Sequence, residues 1–578
     1  MWTSLAITSL LAASIPIPSI LAQTDSQGLG WHFVQNGSTQ LTALEAIVVS
    51  PTLLVVFDRV RGDPLQINGH QAWGAIWNTE TNNVTAIDVL TDSFCASGGF
   101  LSNGTMVSVG GQPVEIPDGE TVAPDEDGLM GVRIWEPCLD PAGVNCTLFE
   151  NPATHSLAEK RWYPTSLRIF DGSLMIIGGI RINTAFFNDK NLSTSSFEFF
   201  PKKDGGIPRP SEFLDRSLPA NLFPRSFALP DGKILMIANN QTIIYDIETQ
   251  TETILPDIPN GVRVTNPYDG TATLLPLSPP DYIPEVLVCG GTNATDQITN
   301  DDVGAALSSQ DPASDQCTRM ILTPEGIEKG WELDDRMPEG RMMPEMILMP
   351  NGKVLVINGA ETGFAAIATV RDPVGQSNAD NAALTPVLYD PAAPLGNRFD
   401  REGLPTTDIA RLYHSSVSLL PGGNIFIAGS NPGRGVHLDD KFPSEFRVEY
   451  LNPPYMTVPR PSLSSAQKKI GFNERFTVDV NIPEGLNASS IKVSLMDLGF
   501  STHAFHSSSR LVFLEATLSE DQKTLELVSP PNNRVYPPGP AWLYLTVDDV
   551  TSKGIQVMVG SGGTPPLPDE GVPIPLRK

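Results

Sequence analysis

Seven histidines are spread along the chain, and only two stand where their neighbours suggest metal ligation. His414 follows Tyr413 in Arg411-Leu412-Tyr413-His414-Ser415-Ser416, just ahead of the turn at Gly422-Gly423. His503 closes Gly499-Phe500-Ser501-Thr502-His503 near the C-terminal end, where a loop can reach back to a distant part of the chain. The others, His32, His70, His155, His437 and His506, lack such context, and a lone histidine is more often structural or exposed. Two imidazoles with phenolate oxygens make an N,O donor set that suits Cu(II). One condition follows. Adjacent strand residues point to opposite faces, so Tyr413 and His414 share a metal only if the backbone leaves regular strand geometry there. Phosphate-binding loops, dinucleotide fingerprints, HExxH and GxSxG are absent from the chain, which removes support for phosphoryl transfer, NAD-linked hydride transfer and common hydrolysis.

These side chains need elements that carry them to one point, and an internal repeat supplies them. A turn dipeptide, an apolar run and then small residues recur at Asn103-Gly104, Asp171-Gly172, Asp231-Gly232, Asn351-Gly352 and Gly422-Gly423. Val286-Leu287-Val288-Cys289-Gly290-Gly291 has the strand and glycines of another copy, and 46–57 holds two β-branched runs around Ser50-Pro51. Asn-Gly and Asp-Gly favour hairpin turns, and the short Leu/Ile/Val runs read as buried strands. The spacing suits four-stranded blades with long loops, and no long stretch shows a helical period. An all-β fold is therefore expected, with a seven-bladed kelch-type β-propeller over 23–456. A sandwich built of repeated hairpins is the competing architecture. After Pro459-Arg460-Pro461 the texture changes to short alternating segments broken by proline pairs, and 457–578 reads as an immunoglobulin-like β-sandwich.

Charge and targeting narrow the function classes. With 38 basic and 66 acidic residues the formal net charge is −28. That balance argues against binding nucleic acid or anionic membranes. Residues 1–22 carry no charged side chain, are interrupted by Pro16 and Pro18, and lead into Gln23-Thr24-Asp25. They read as a cleaved signal peptide, which makes the protein secreted. Sequons at Asn36, Asn83, Asn103, Asn145, Asn191, Asn240, Asn293 and Asn487 fit an extracellular glycoprotein.

The sequence resembles the copper radical oxidases, the family of galactose oxidase and glyoxal oxidase. Carrying the resemblance are Phe94-Cys95-Ala96, Arg161-Trp162-Tyr163, Leu412-Tyr413-His414-Ser415, Ser501-Thr502-His503 and Tyr536-Pro537-Pro538-Gly539-Pro540, in order against the repeat turns. The resemblance implies one copper ion ligated by Tyr163, Tyr413, His414 and His503. It also implies a thioether joining Cys95 to Tyr163, with the modified phenol oxidised to a stable radical. Tyr413 would take the substrate's hydroxyl proton and the Tyr163 radical would abstract hydrogen. His503 is preferred to His506 on the family motif. In galactose oxidase a tryptophan stands over the radical two residues after the Gly-Gly of the second blade; that place is Arg181 here. By residue type alone, Trp73 and Trp162 are the candidates for the shield.

The wording around Tyr163 looks closest to glyoxal oxidases. This implies oxidation of small aldehydes of the glyoxal and methylglyoxal type, as hydrates, to carboxylic acids, with O2 reduced to hydrogen peroxide. A primary-alcohol or galactose-type oxidase is the alternative on the same site. A kelch propeller that only binds glycans or proteins is the non-enzyme alternative. Peroxide-using enzymes are expected as functional partners, and the protein is expected to be a monomer. Five cysteines leave one over in a secreted chain. Cys138 and Cys146 lie close enough for a local disulfide, and Cys289 and Cys317 can bridge a loop. Those pairings would leave Cys95 for the cofactor.

Overall fold

The computed structural model describes residues 30–59, 62–113, 127–138, 140–182, 185–464 and 466–574, so the expected leader lies outside the described residues. The apolar runs become strands of seven antiparallel propeller blades of four strands each, six as separate sheets and one extended to six strands by a hairpin from the C-terminal domain. Their axial strands are Glu45–Val48, Ser97–Phe100, Thr165–Arg168, Arg225–Ala228, Gly270–Leu274, Glu345–Leu348 and Ser415–Leu419. All but the outermost positions are buried, which is why these runs are continuous rather than alternating. The turns that punctuate the repeat sit at left-handed glycines such as Gly172 (φ 80°) and Gly232 (φ 89°).

The ring is closed by the start of the chain. His32–Ser38 pairs antiparallel with Arg447–Asn452 and completes the blade that begins at Ser415–Leu419. Two disulfides, Cys138–Cys146 and Cys289–Cys317, join as the spacing suggested, and Cys95 is free and buried. The second of these links neighbouring strands of one blade, whose Cys289 and Cys317 are register partners.

C-terminal to the propeller, strands from Ser462–Ser464 to Ile555–Val559 form a sandwich, the immunoglobulin-like domain. Arg475–Asn481 alternates exposed and buried residues along its length, the mark of a sheet with one face on a core. Between Ile491–Asp497 and Arg510–Leu518 the chain leaves this domain as a hairpin, Phe500–Thr502 with Phe505–Ser507. The hairpin enters the propeller, pairs through Ser501 with Ala46, and packs against the axial strand of all seven blades. Its root is pinned by Arg168, which ion-pairs with Asp497 and donates to the Phe100 carbonyl at 3.2 Å. Backbone bonds from Leu277 to Leu511 (3.0 Å) and from Phe513 to Leu277 (2.9 Å) lock the two domains together.

Candidate metal centre

The condition set by strand geometry is met by a repeated backbone device. His414 has φ 66°, a left-handed conformation, immediately before the axial strand Ser415–Leu419. Such a residue breaks the alternation, so Tyr413 and His414 turn toward the same space with ring centroids 3.7 Å apart. Cys95 (φ 56°), Tyr163 (φ 62°), Phe223 (φ 49°) and Met343 (φ 57°) hold the same conformation two residues before their axial strands. The propeller thus presents a strained residue at the axial end of successive blades, and three of these five carry the chemistry proposed from sequence. His503 sits at the tip of the axial hairpin with Ala504; their φ values of 48° and 59° fit a two-residue primed turn.

These residues converge. The Tyr163 and Tyr413 hydroxyl oxygens are 2.5 Å apart, and Cys95 Sγ lies 3.6 Å from His414 Nε2. Cys95 and Tyr163 are also neighbours, joined by the Tyr163 N–H donating to the Cys95 carbonyl at 3.2 Å. Ligand atoms of Cys95, His414 and His503 all fall within 4.8 Å of one another. His503 packs 5.2 Å from Tyr163 and 5.0 Å from His414, ring to ring.

The imidazoles are set up as ligands. His414 Nδ1 lies 2.7 Å from the Asn431 carbonyl, which can only accept, so Nδ1 carries the proton and Nε2 keeps its lone pair. His503 Nδ1 bonds Thr502 Oγ1 at 2.7 Å. Its Nε2 is buried with no hydrogen-bond partner among the described residues, an orphan that a metal would satisfy. Burial first, then nearby positive charge, holds both histidines well below their usual range, so both are neutral. Burial likewise pushes both phenols well above the ordinary tyrosine range. Only a cation beside them would favour a phenolate. Two lone-pair nitrogens and two phenol oxygens are a donor set that fits copper.

Supporting groups fix this arrangement. Arg225 donates to the His503 carbonyl at 3.0 Å and pairs with Asp269 at 2.9 Å, both fully buried, so the hairpin tip is held from the propeller wall. Asn266 Nδ2 donates to the Tyr413 hydroxyl at 3.3 Å. His506, in the returning strand, points away to Glu345 at 3.2 Å. A turn, and not an extended segment, separates it from His503.

Of the two tryptophans considered as a shield, Trp162 stands edge-on to Tyr163 with centroids 4.6 Å apart, held by its indole N–H on the Phe94 carbonyl at 3.1 Å. Trp73 is elsewhere, bonded to the Thr91 carbonyl. Arg181 is turned to Glu159 at 3.8 Å and is not part of the cleft over Tyr163; the arginines lining that cleft are Arg59 and Arg434. Phe223, stacked on His503 at 4.2 Å, was not found from sequence. Its signal was the repeat register, since Leu222-Phe223-Pro224 occupies the place of Trp162-Tyr163-Pro164. Arg59 was missed too, although Asp58-Arg59 follows the apolar run of the first blade where other blades carry glycine.

Residues 63–455 match the profile described as glyoxal oxidase N-terminus. This chain belongs to the glyoxal oxidase family. Residues 460–559 match the galactose oxidase-like, early set domain. An aldehyde oxidase GLOX of Vitis pseudoreticulata is 31% identical over 81% of this chain and 82% of its own length. A putative aldehyde oxidase, Art an 7 of Artemisia annua, is 30% identical over 92% of this chain and 89% of its own. Among solved structures, a fungal alcohol oxidase of the AA5 family in complex with copper superposes with TM-score 0.67, covering 92% of this chain and all of that one at 14% identity. That last likeness speaks to fold. As a glyoxal oxidase family member the protein is an oxidoreductase.

Proposed function

We propose that the protein oxidises small aldehydes, as their hydrates, to carboxylic acids at a copper site, with O2 leaving as hydrogen peroxide. The observation that carries this reading is the unpartnered, buried Nε2 of His503 facing the Tyr163–Tyr413 phenol pair. Copper held by Tyr163, Tyr413, His414 and His503, beside a Tyr163 joined to Cys95 and oxidised to its phenoxyl form, would supply the two one-electron acceptors that such an oxidation needs. Tyr413, aligned by Asn266, receives the proton of the hydrate's hydroxyl. Tyr163 forms the floor of the cleft through which the substrate enters, and Trp162 covers its ring edge.

Cleft size supports the substrate class. The space over Tyr163 is about 60 Å³, room for roughly four to six water-sized groups at about 10–15 Å³ each. Methylglyoxal fits that count, and a hexose exceeds it. The homologues named as aldehyde oxidases favour the same choice.

Export of the protein belongs to this proposal. The disulfides need an oxidising compartment, and sequon residues Asn36, Asn83, Asn145, Asn191, Asn293 and Asn487 are exposed. Among the described residues no helix is long and apolar enough to cross a membrane. The protein then works as an extracellular monomer that supplies peroxide to enzymes consuming it.

A peroxide-release assay on copper-loaded protein across methylglyoxal, glyoxal, glycerol, benzyl alcohol and galactose tests the reading. Turnover of the two aldehydes should exceed that of the alcohols. Rapid turnover of galactose or benzyl alcohol with none of the aldehydes would overturn it.

A further inference from the structure

The cleft over Tyr163 presents polar and apolar surface in similar measure and carries one feature that its walls do not explain. Arg59 lines it and is only 9% exposed. Its Nε and Nη2 are buried and have no hydrogen-bond partner among the described residues. The nearest acids, Asp58 and Asp63, attract the guanidinium through space but give its Nε and Nη2 no hydrogen bond. Asp58 spends Oδ1 on the Arg59 backbone N–H at 2.8 Å and Oδ2 on the Thr42 N–H at 2.9 Å. Both carboxylate oxygens of Asp63 are themselves without a hydrogen-bond partner. Meanwhile the guanidinium lies over Phe94, with Cζ 3.7 Å from the ring centroid. Phe94 in turn packs on His414. A planar cation that lines a small cleft, lies over a ring and has donors unspent on the protein suits a carboxylate received as a fork. The exposed Arg434 stands on the same cleft and adds attraction for an anion.

We propose that Arg59 is the residue that ranks substrates in this cleft, by binding a carboxylate on the carbon next to the aldehyde. This rests on the reading that the cleft is the substrate site. Glyoxylate is the smallest such molecule and matches methylglyoxal in heavy atoms, so charge alone separates the two. The hydrate HC(OH)2–COO⁻ and O2 give hydrogen oxalate and H2O2. The C–H bond breaks and a hydroxyl proton is lost; two electrons and two protons pass to dioxygen as the new C=O forms. With the carboxylate on Arg59, the hydrate's other end is directed toward Tyr163, across a cleft that spans only a few atoms.

The test compares kcat/KM for glyoxylate and methylglyoxal in copper-loaded wild type, Arg59→Gln and Arg59→Lys. Wild type should favour glyoxylate, and the glyoxylate-to-methylglyoxal ratio should fall about 100-fold in Arg59→Gln, with Arg59→Lys in between because it keeps the charge and loses the fork. Calorimetric titration of glyoxylate into the full-length copper-free chain, which offers a carboxylate no metal, should show binding weakened about 30-fold by Arg59→Gln. An unchanged ratio, or an equal fall for both substrates, would reduce Arg59 to a packing partner of Phe94 and overturn the proposal. Should wild type release no peroxide from either aldehyde, the aldehyde reading fails, and the calorimetry still decides whether Arg59 binds a carboxylate.

Discussion

Tyr163 and Tyr413, 250 residues apart in the chain, meet oxygen to oxygen at 2.5 Å inside the propeller. Neither phenol is exposed, and burial raises the pKa of both. They are not equivalent. Tyr163 is bonded through its backbone to Cys95, whereas Tyr413 is held by Asn266, a difference that fits the roles proposed for them, covalent modification for one and proton handling for the other.

Replacing Tyr413 with phenylalanine tests that division. The variant should retain copper and the modified Tyr163 while losing about 100- to 10,000-fold in kcat, the usual worth of a positioned acid–base group. The readouts are metal content, peptide mapping and peroxide release. Loss of copper at the same time would make Tyr413 chiefly a ligand.

Copper-loaded protein exposed to air should yield a peptide pair containing Cys95 and Tyr163, joined with loss of two hydrogens. Cys95→Ser should lack the link and most of the activity while keeping its fold by circular dichroism. Recovery of separate unmodified peptides from active wild-type protein would contradict the crosslink.

His503 and His506 separate metal binding from stability. His503→Ala should bind copper weakly and unfold close to wild type. His506→Ala leaves Glu345 buried without its imidazole partner, so it should lose about 3 kcal/mol in urea unfolding while still binding copper. The reverse pattern would exchange their roles.

Glu45 gives the fold a pH signature. Its Oε1 accepts the Ala96 N–H at 3.0 Å, its other oxygen has no partner among the described residues, and burial pushes the carboxyl up to about 8. The folded chain therefore holds a proton that the unfolded chain, near 4.5, releases. This contribution is present in full below the unfolded value and is lost as pH rises toward 8, by roughly 1 kcal/mol per pH unit. Glu45→Gln should remove that slope, matching wild type near pH 5 and exceeding it at pH 8 in denaturant titrations. Parallel slopes in the two proteins would refute the assignment.

The blades were legible because each carries its turn glycine and apolar run locally, as at Asp171-Gly172 and Leu174–Ile177. Cys95, Tyr163, Tyr413, His414 and His503 were legible through motif order, and the structure brings all five together. What the sequence did not display was long-range. Nothing in Gly178-Gly179-Ile180-Arg181 says that Arg181 turns outward to Glu159, or that Asp58-Arg59, two blades back, lines the cleft instead. The stacking of Phe223 on His503 joins two domains, and such pairings are set by the closed ring and not by neighbours in sequence.

The hairpin along the propeller axis also sets an order of events. His503 lies beyond the seventh blade in the chain, and its hairpin can be seated only against axial strands from the whole ring. During synthesis, the nascent protein can assemble Cys95, Tyr163, Tyr413 and His414 but lacks the last nitrogen until the C-terminal domain emerges. Under the proposed function, redox chemistry is thereby deferred to the finished molecule. A chain cut short before residue 500 would be an inert wheel without its axle.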